Sequence, residues 1–301
     1  MTFSIVAVDK EEKEVGFAIA SCAWNSGLVC RVETEKGAMA SQAQGKLLFL
    51  SVFFEQLEEN KTAEQIMTHF REIDDRIESR QIDLVTFKGE TFAFTGENCT
   101  YWAGHKTGRD FACQGNILVG PEVIEKMTFA FENTNGSLKE RLFAALQAGD
   151  NAGRDARGKQ SARLFVKKRG GGVGGENDTV IDIGIEDHEE PVKEIGRILS
   201  VHKNLETLYG YYIELQEAKE EEEKLLILEK AGKFIQGKKE ARYHDFWTGI
   251  GFAYLELGKN EEAIYYLKKG LEISPKMIAA YEKSAQDGKM PEELIAALLE
   301  K

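Results

Sequence analysis

The chain is short of cysteine and of positive charge and has no long apolar run, and each shortage removes a class of function. Only four cysteines occur among the 301 residues, Cys22, Cys30, Cys99 and Cys113. Their spacing is irregular and includes no C-x-x-C pair, which argues against a structural zinc site or a thioredoxin-like motif. Free thiols in a reducing compartment are expected instead. Lys and Arg total 39 against 51 Asp and Glu, a net charge of -12. That balance argues against nucleic acid and anionic membrane as partners, because both need clustered cations. The longest apolar run, Leu47 to Phe54, is broken by Ser51 and is too short to span a bilayer. No cationic stretch followed by an apolar segment opens the chain, so no signal peptide is read and a cytoplasmic location is expected. What remains is a chain with 42% hydrophobic residues, enough for a sizeable core.

Two textures divide it. Up to about residue 190 the sequence is rich in glycine and short β-like runs; beyond about 200 it is helical, dominated by Glu, Lys, Leu and Tyr. Domain boundaries are expected at 1–202 and 203–301. Thr2–Val8 and Val15–Ser21 read as paired strands, Gly37–Gln42 as a third, and Leu47–Leu57 as a buried helix. Thr62-Ala63-Glu64-Gln65 and Ser137-Leu138-Lys139-Glu140 are capping boxes, the second opening a helix that should stop at Gly149. Ile82–Phe87 and Thr91–Thr95 predict a hairpin, Phe111–Gln114 a strand, Glu122–Phe131 a helix, and Ala162–Lys168 with Thr179–Glu186 a closing hairpin. Runs of like elements point to an α+β fold with two packed sheets and helices outside both. In the second domain, Trp247-x-x-Ile250-Gly251-x-x-Tyr254, Ala263-x-x-x-Leu267 and Pro275 match the helix–turn–helix tetratricopeptide (TPR) pattern. A generic helical hairpin is the plainer reading of the same residues.

The residue with the most chemistry is Thr2. Removal of Met1 would leave one residue bearing a hydroxyl nucleophile and a free α-amine of ordinary pKa near ~8, able to take the hydroxyl proton. Ser4 shares its strand face. Gln114 and Asn116, in a Gln-Gly-Asn-Ile stretch, carry amides that can donate to an oxyanion, although Asn and Gly also populate turns. His105 can be a general base or a structural histidine. Asp155, Arg157 and Gln160 lie in a polar loop that can clamp a polar substrate or can simply be solvated. Gly170–Gly175 lacks the Gly-Lys-Ser/Thr ending of a phosphate loop and reads as a hairpin turn.

Taken together, Met1-Thr2-Phe3-Ser4-Ile5-Val6-Ala7, Phe94-Thr95-Gly96, Trp102-Ala103-Gly104-His105, Gln114-Gly115-Asn116-Ile117-Leu118 and Asp155-x-Arg157-Gly158-x-Gln160-Ser161-Ala162 resemble the domain-of-unknown-function 1028 family over roughly residues 1–200. That family is regarded as similar to N-terminal-nucleophile (Ntn) hydrolases. The resemblance therefore implies a four-layer αββα Ntn-hydrolase-like domain, here followed by an all-α TPR-like domain. It places Ser21, Ser41 and Gln42 at strand ends near Thr2. Departures from the family pattern fall at Arg154, Gly184 and Ser41. The expected catalytic set is Thr2, Ser4, Ser21, Gln114 and Asn116. The expected substrate-binding set is Ser41, Gln42, His105, Asp155, Arg157 and Gln160. The expected reaction is hydrolysis of a linear amide, in a small molecule or peptide, with neither cofactor nor metal. The alternative is a non-catalytic adaptor on the same scaffold. A protein partner on the TPR-like part and a homo-oligomer are also expected.

Overall fold

The structure, a computed structural model, describes residues 2–153, 157–287 and 290–299. It divides into two compact units, Met1–Leu199 and Ser200–Lys301.

The first unit begins with an antiparallel hairpin of Thr2–Asp9 (β1) and Glu14–Ser21 (β2), in which Thr2 faces Ser21 and Asp9 faces Glu14. The Asp9 carboxylate closes the turn by accepting the N–H groups of Glu11 and Glu12 at 3.1 and 3.0 Å, a local bond that Asp offers readily. The remaining strands are Cys30–Glu33 (β3), Gly37–Ala43 (β4), Arg80–Thr86 (β5), Thr91–Thr95 (β6), Trp102–Gly108 (β7), Phe111–Leu118 (β8), Ser161–Lys168 (β9) and Thr179–Ile185 (β10). They form a six-stranded sheet, β10-β9-β2-β1-β8-β7, and a four-stranded sheet, β3-β4-β5-β6. Every pairing is antiparallel.

Among the described residues, five α-helices belong wholly or partly to this unit: Leu48–Glu58 (α1), Ala63–Glu72 (α2), Glu122–Asn133 (α3), Leu138–Asn151 (α4) and Pro191–Glu217 (α5). Capping boxes at Thr62 and Ser137 start α2 and α4 as the sequence predicts. Three cores result. Phe3, Ile5, Ala18 and Leu164 of the large sheet pack with Met127, Leu142, Leu146 and Ile195 of α3, α4 and α5. Met39, Ile82 and Leu84 of the small sheet pack with Phe49, Phe53, Ile66 and Phe70 of α1 and α2. The other faces of the sheets share a third core, in which Val6, Phe17 and Ile19 meet Ala38, Ala40 and Val85. Side chains alternate along a strand, so β1 sends its odd residues to the helices and its even ones between the sheets.

Some local expectations change. β5 starts at Arg80, two residues before the expected strand, and β3 and β7 are strands where the residue pattern alone predicts none. Helix α4 runs past Gly149 to Asn151. Gly149 is there for packing: a Cβ on it would sit 2.7 Å from Met127 Cγ and 3.1 Å from Phe3 Cε2.

The second unit is helical. After the end of α5 come Glu221–Ile235 (α6), His244–Glu256 (α7), Asn260–Ile273 (α8), Ile278–Gln286 (α9) and Glu292–Leu299 (α10). Trp247, Ile250, Tyr254, Ala263 and Leu267, the pattern residues, are all buried. Gly251 lets α7 approach α8, since a Cβ there would lie 2.7 Å from Leu267 Cγ. Among the described residues no helix is long and apolar enough to cross a membrane.

Candidate active site

Thr2 lies at the edge of the layer between the sheets, where β1 begins and its neighbours β2 and β8 end. Its cross-strand partners are Ser21 on β2 and Asn116 on β8. Thr2 Oγ1 is 3.1 Å from Ser21 Oγ, and either hydroxyl can be the donor. The Thr2 carbonyl accepts from Gln42 Nε2 at 3.3 Å, across the gap from β4. The side chain is half-buried, unlike its neighbours Ser4, Gln42 and Ser21, which are buried. A hydroxyl held by a second hydroxyl, on a residue whose main chain is anchored by an amide, is positioned without being sealed off.

Behind Thr2 runs a closed network of side-chain amides. Ser4 Oγ donates to Gln42 Oε1 at 2.9 Å, and Gln42 Nε2 donates to Gln81 Oε1 at 2.9 Å. Asn116 Nδ2 donates to the same Gln81 oxygen at 3.0 Å. Gln81 Nε2 in turn donates to Gly115 O at 2.7 Å, Gly104 O at 3.1 Å and Thr95 Oγ1 at 3.0 Å. Thr95 Oγ1 is 2.8 Å from Nδ1 of the exposed His105. Gln81 therefore ties β4, β6, β7 and β8 together at the Thr2 end. Burying so many amides is tolerable only because each is paired, an unpaired one costing about 1–3 kcal/mol.

Deeper in the same layer the pairing is incomplete. Asp83 Oδ1 accepts the Ala40 N–H at 3.2 Å, and Gln114 Nε2 reaches Ala40 O only at 3.5 Å. Asp83 Oδ2 and Gln114 Oε1 are buried without a hydrogen-bond partner among the described residues. Burial holds the Asp83 carboxyl well above the usual carboxylate range, only partly offset by the Ala40 N–H. Burial, helped by Asp83, also pushes up the Cys30 and Cys113 thiols, which leaves them poor nucleophiles. Desolvation lowers the His105 pKa and favours the neutral ring.

Four of the positive-φ residues other than glycine lie at this end. Asn25, Ala43, Tyr101 and Ile117 all have positive φ, from 50° to 64°. Ile117 is the most telling, because a β-branched residue rarely enters the left-handed region. It belongs to a bulge in which Asn116 and Ile117 of β8 oppose the one residue between Trp102 and Gly104 on β7. Bulges re-aim side chains, and strained positions persist where the surroundings over-determine them. Gly96, in the loop after β6, passes so close to Glu78 that an added Cβ would be 2.3 Å from its carbonyl oxygen.

The structure brings Thr2, Ser4, Ser21, Gln42 and Asn116 into one cluster. Gln114 faces Ser4 across β1 and β8 and is fully buried. Ser41 is buried on the opposite face of β4 from Gln42 and accepts the Lys46 N–H at 3.1 Å. His105 joins through Gln81 and Thr95, one strand beyond β8. Gln160 donates its backbone N–H to Ser21 O at 3.1 Å, while its side chain turns to Asp187. Arg157 is exposed, and Asp155 and Arg154 lie outside the described residues. Gln81 and Asp83 escape sequence reasoning because they alternate with Ile82 and Leu84, a pattern that reads as a solvated strand face.

Concavity is distributed unevenly. Beside Ser21 the described residues leave a cleft of about 10 Å³, lined by Phe3, Asp150, Lys159, Ser161 and Val192 among others, room for about one water. Lys159 is bound there by Asp150 at 2.9 Å and by Glu190. The large concavity, about 740 Å³, belongs to the second unit, between α5, α6 and α7, with Leu208, Tyr212, Ile227, Phe246 and Ile250 in its wall.

Comparison with known proteins gives a family but no activity. Residues 2–195 match the model of DUF1028, described as a family of unknown function. The crystal structure of protein SPO2555 from Silicibacter pomeroyi, assigned to the same family model, is similar to this chain. The TM-score is 0.60 and the identity 27%, over 66% of this chain and 84% of that one. No curated protein matches the chain.

Proposed function

The chain belongs to the DUF1028 family, and we propose that it is an N-terminal-nucleophile hydrolase of a linear amide bond, with Thr2 as nucleophile once Met1 is removed. The observation that carries this reading is the Thr2 hydroxyl, 3.1 Å from Ser21 Oγ, on a residue whose carbonyl is held by the buried Gln42. Two sheets with helices outside both are consistent with the αββα layering of Ntn hydrolases. In this mechanism the freed α-amine takes the proton from Thr2 Oγ1, directly or through a water. Oγ1 attacks the amide carbonyl, the C–N bond breaks, and the leaving amine departs with the proton. Water then hydrolyses the threonyl ester. Ser21 orients the hydroxyl. Asn116 commits one N–H of its amide to Gln81, and the other is assigned to the oxyanion. Gln114, fully buried beside Ser4, is given a supporting role in the layer.

The test compares the purified protein with its Thr2→Ala and Thr2→Ser variants on a library of amides. Thr2→Ala should lower kcat/KM by at least about a thousandfold without loss of fold, while Thr2→Ser keeps measurable turnover. Full activity in Thr2→Ala overturns the reading.

The 740 Å³ concavity of the second unit favours a second reading, an adaptor that binds a peptide or a second subunit through a TPR-like helical array. On that reading Thr2 is replaceable, and removal of partner binding follows substitutions in the concavity, such as Tyr212→Ser.

A further inference from the structure

We propose that the second unit binds a partner protein through one amphipathic α-helix of that partner, about three turns long, seated lengthwise in the groove between α5, α6 and α7 with its closest approach at Gly249. The inference deepens the adaptor reading and does not depend on Thr2. The groove, of about 740 Å³, has a buried apolar floor of Leu208, Leu228, Ala231 and Ile250 and an exposed rim that includes Tyr209 and Tyr212. Its lining follows one side of α5 from Leu205 to Gln216 and one side of α7 from Asp245 to Glu256, mostly recurring every three or four residues. Each side is eleven residue steps long, about 16 Å at 1.5 Å per residue, or three helical turns. A helix of that length, about 10–12 Å across with its side chains, occupies about 1,300–1,800 Å³. The groove therefore takes in roughly half of one, its apolar face.

The walls are themselves helices, whose backbone groups pair internally. An extended peptide would find no ladder there for its own N–H and C=O groups, whereas a helix arrives with them already paired. Gly249 is an independent sign. Among the described residues, five glycines lie inside helices of this unit. A Cβ on Gly232, Gly251 or Gly270 would press on Tyr266, Leu267 or Thr248, so those three serve internal packing. A Cβ on Gly249 or Gly210 would meet nothing within 4 Å, and of these two only Gly249 lines the groove. A glycine inside a helix costs stability relative to alanine, and no contact within the unit requires one at Gly249. With Ala253 one turn further on, it leaves a low line on α7 along which a second helix can pass closely. Charge does not choose the partner, since Lys224 and Arg242 in the lining are matched by Asp245 and Glu256. Apolar contact carries the binding instead.

The test pans a display library of random peptides of about 16 residues, long enough for four turns, against the full-length chain. Enriched sequences should carry apolar residues at i, i+3, i+4 and i+7. A synthetic copy of the commonest should gain helical circular dichroism on binding. Gly249→Leu should weaken that peptide at least about tenfold in fluorescence anisotropy, because the added side chain fills the line of closest approach. The same variant should melt no lower than the wild type, since leucine is the better helix former and its Cβ meets open space. Tyr212→Ser, on the exposed rim of the other wall, should weaken the peptide too and decides the matter if Gly249→Leu melts lower. Enriched peptides that are proline-rich, lack the period, bind without gaining helix, or bind both variants as tightly as the wild type overturn the helix and leave the adaptor reading standing. If no peptide is enriched, both fall. A dimer in sedimentation that Gly249→Leu converts to a monomer also overturns the proposal, because the groove then belongs to a second copy.

Discussion

The two ends of the layer between the sheets are built from the same strands and differ in almost everything else. At one end Val6, Val8, Phe17, Val85 and Ala112 form a dry contact. At the other, the same strands supply Thr2, Ser4, Gln42, Gln81, Gln114 and Asn116. A dry layer gains stability from every apolar atom it covers. An amide layer gains little net free energy, because each hydrogen bond replaces one with water. The polar end is therefore a poor way to build a core and a good way to fix the position of one residue, since amides impose directions that methyl groups do not. Positive φ occurs at both ends, in the turns at Lys13, Glu35 and Asp110 of the dry one, but only the polar end has it at a β-branched residue, Ile117.

The largest effect on stability should come from the dry end. Phe17 is buried edge-to-face against Phe165, with ring centroids 5.8 Å apart. Phe17→Ala should cost about 3–5 kcal/mol in denaturant unfolding while leaving turnover per folded molecule unchanged. A fall in kcat at full folding would mean that the two ends are not separable. Gln81→Leu should cost about 2–4 kcal/mol, because it strands the amides of Gln42 and Asn116 and the carbonyls of Gly104 and Gly115. Unlike Phe17→Ala, it should also loosen Gln42, whose amide holds the Thr2 carbonyl, and lower kcat in the molecules that remain folded. Gln81→Glu keeps the acceptor for Gln42 and Asn116 but turns the donor to Gly104 and Gly115 into an oxygen, so it should not recover the loss.

Asp83 gives a smaller effect with a definite sign. Its folded-state pKa is raised by burial, so above about pH 4 the unfolded chain releases a proton that the folded chain keeps. The unfolded state then binds fewer protons, and the contribution of Asp83 to stability falls as pH rises through the window between those two pKa values. Asp83→Asn removes the titration and keeps an oxygen for the Ala40 N–H. Melting curves from pH 4 to pH 8 should show the variant gaining on the wild type as pH rises; parallel curves would contradict a neutral buried carboxyl.

Much of the fold is legible in the amino-acid sequence alone. The hairpin that sets Thr2 beside Ser21 follows from two apolar runs across a charged turn. The capping boxes locate α2 and α4, and the Trp247–Pro275 pattern locates α7 and α8. What resists reading is the polar end. In a strand with one solvated face, polar residues at alternate positions point to water, and residue pattern alone puts Gln81 and Asp83 there. β5 is covered on both faces, by helices on one side and the large sheet on the other, so the same alternation marks a buried network. β7 is hidden for another reason: its glycines read as turn chemistry, and only pairing with β8 makes them part of a strand.

The central claim is that Thr2 acts with its own amine, and the mass of the first residue tests it most directly. Native protein purified from its own cells would be digested and its N-terminal peptide sequenced by mass spectrometry. The account predicts a chain that starts at Thr2 with an unmodified amine. Protein that hydrolyses amides while still carrying Met1 would contradict it.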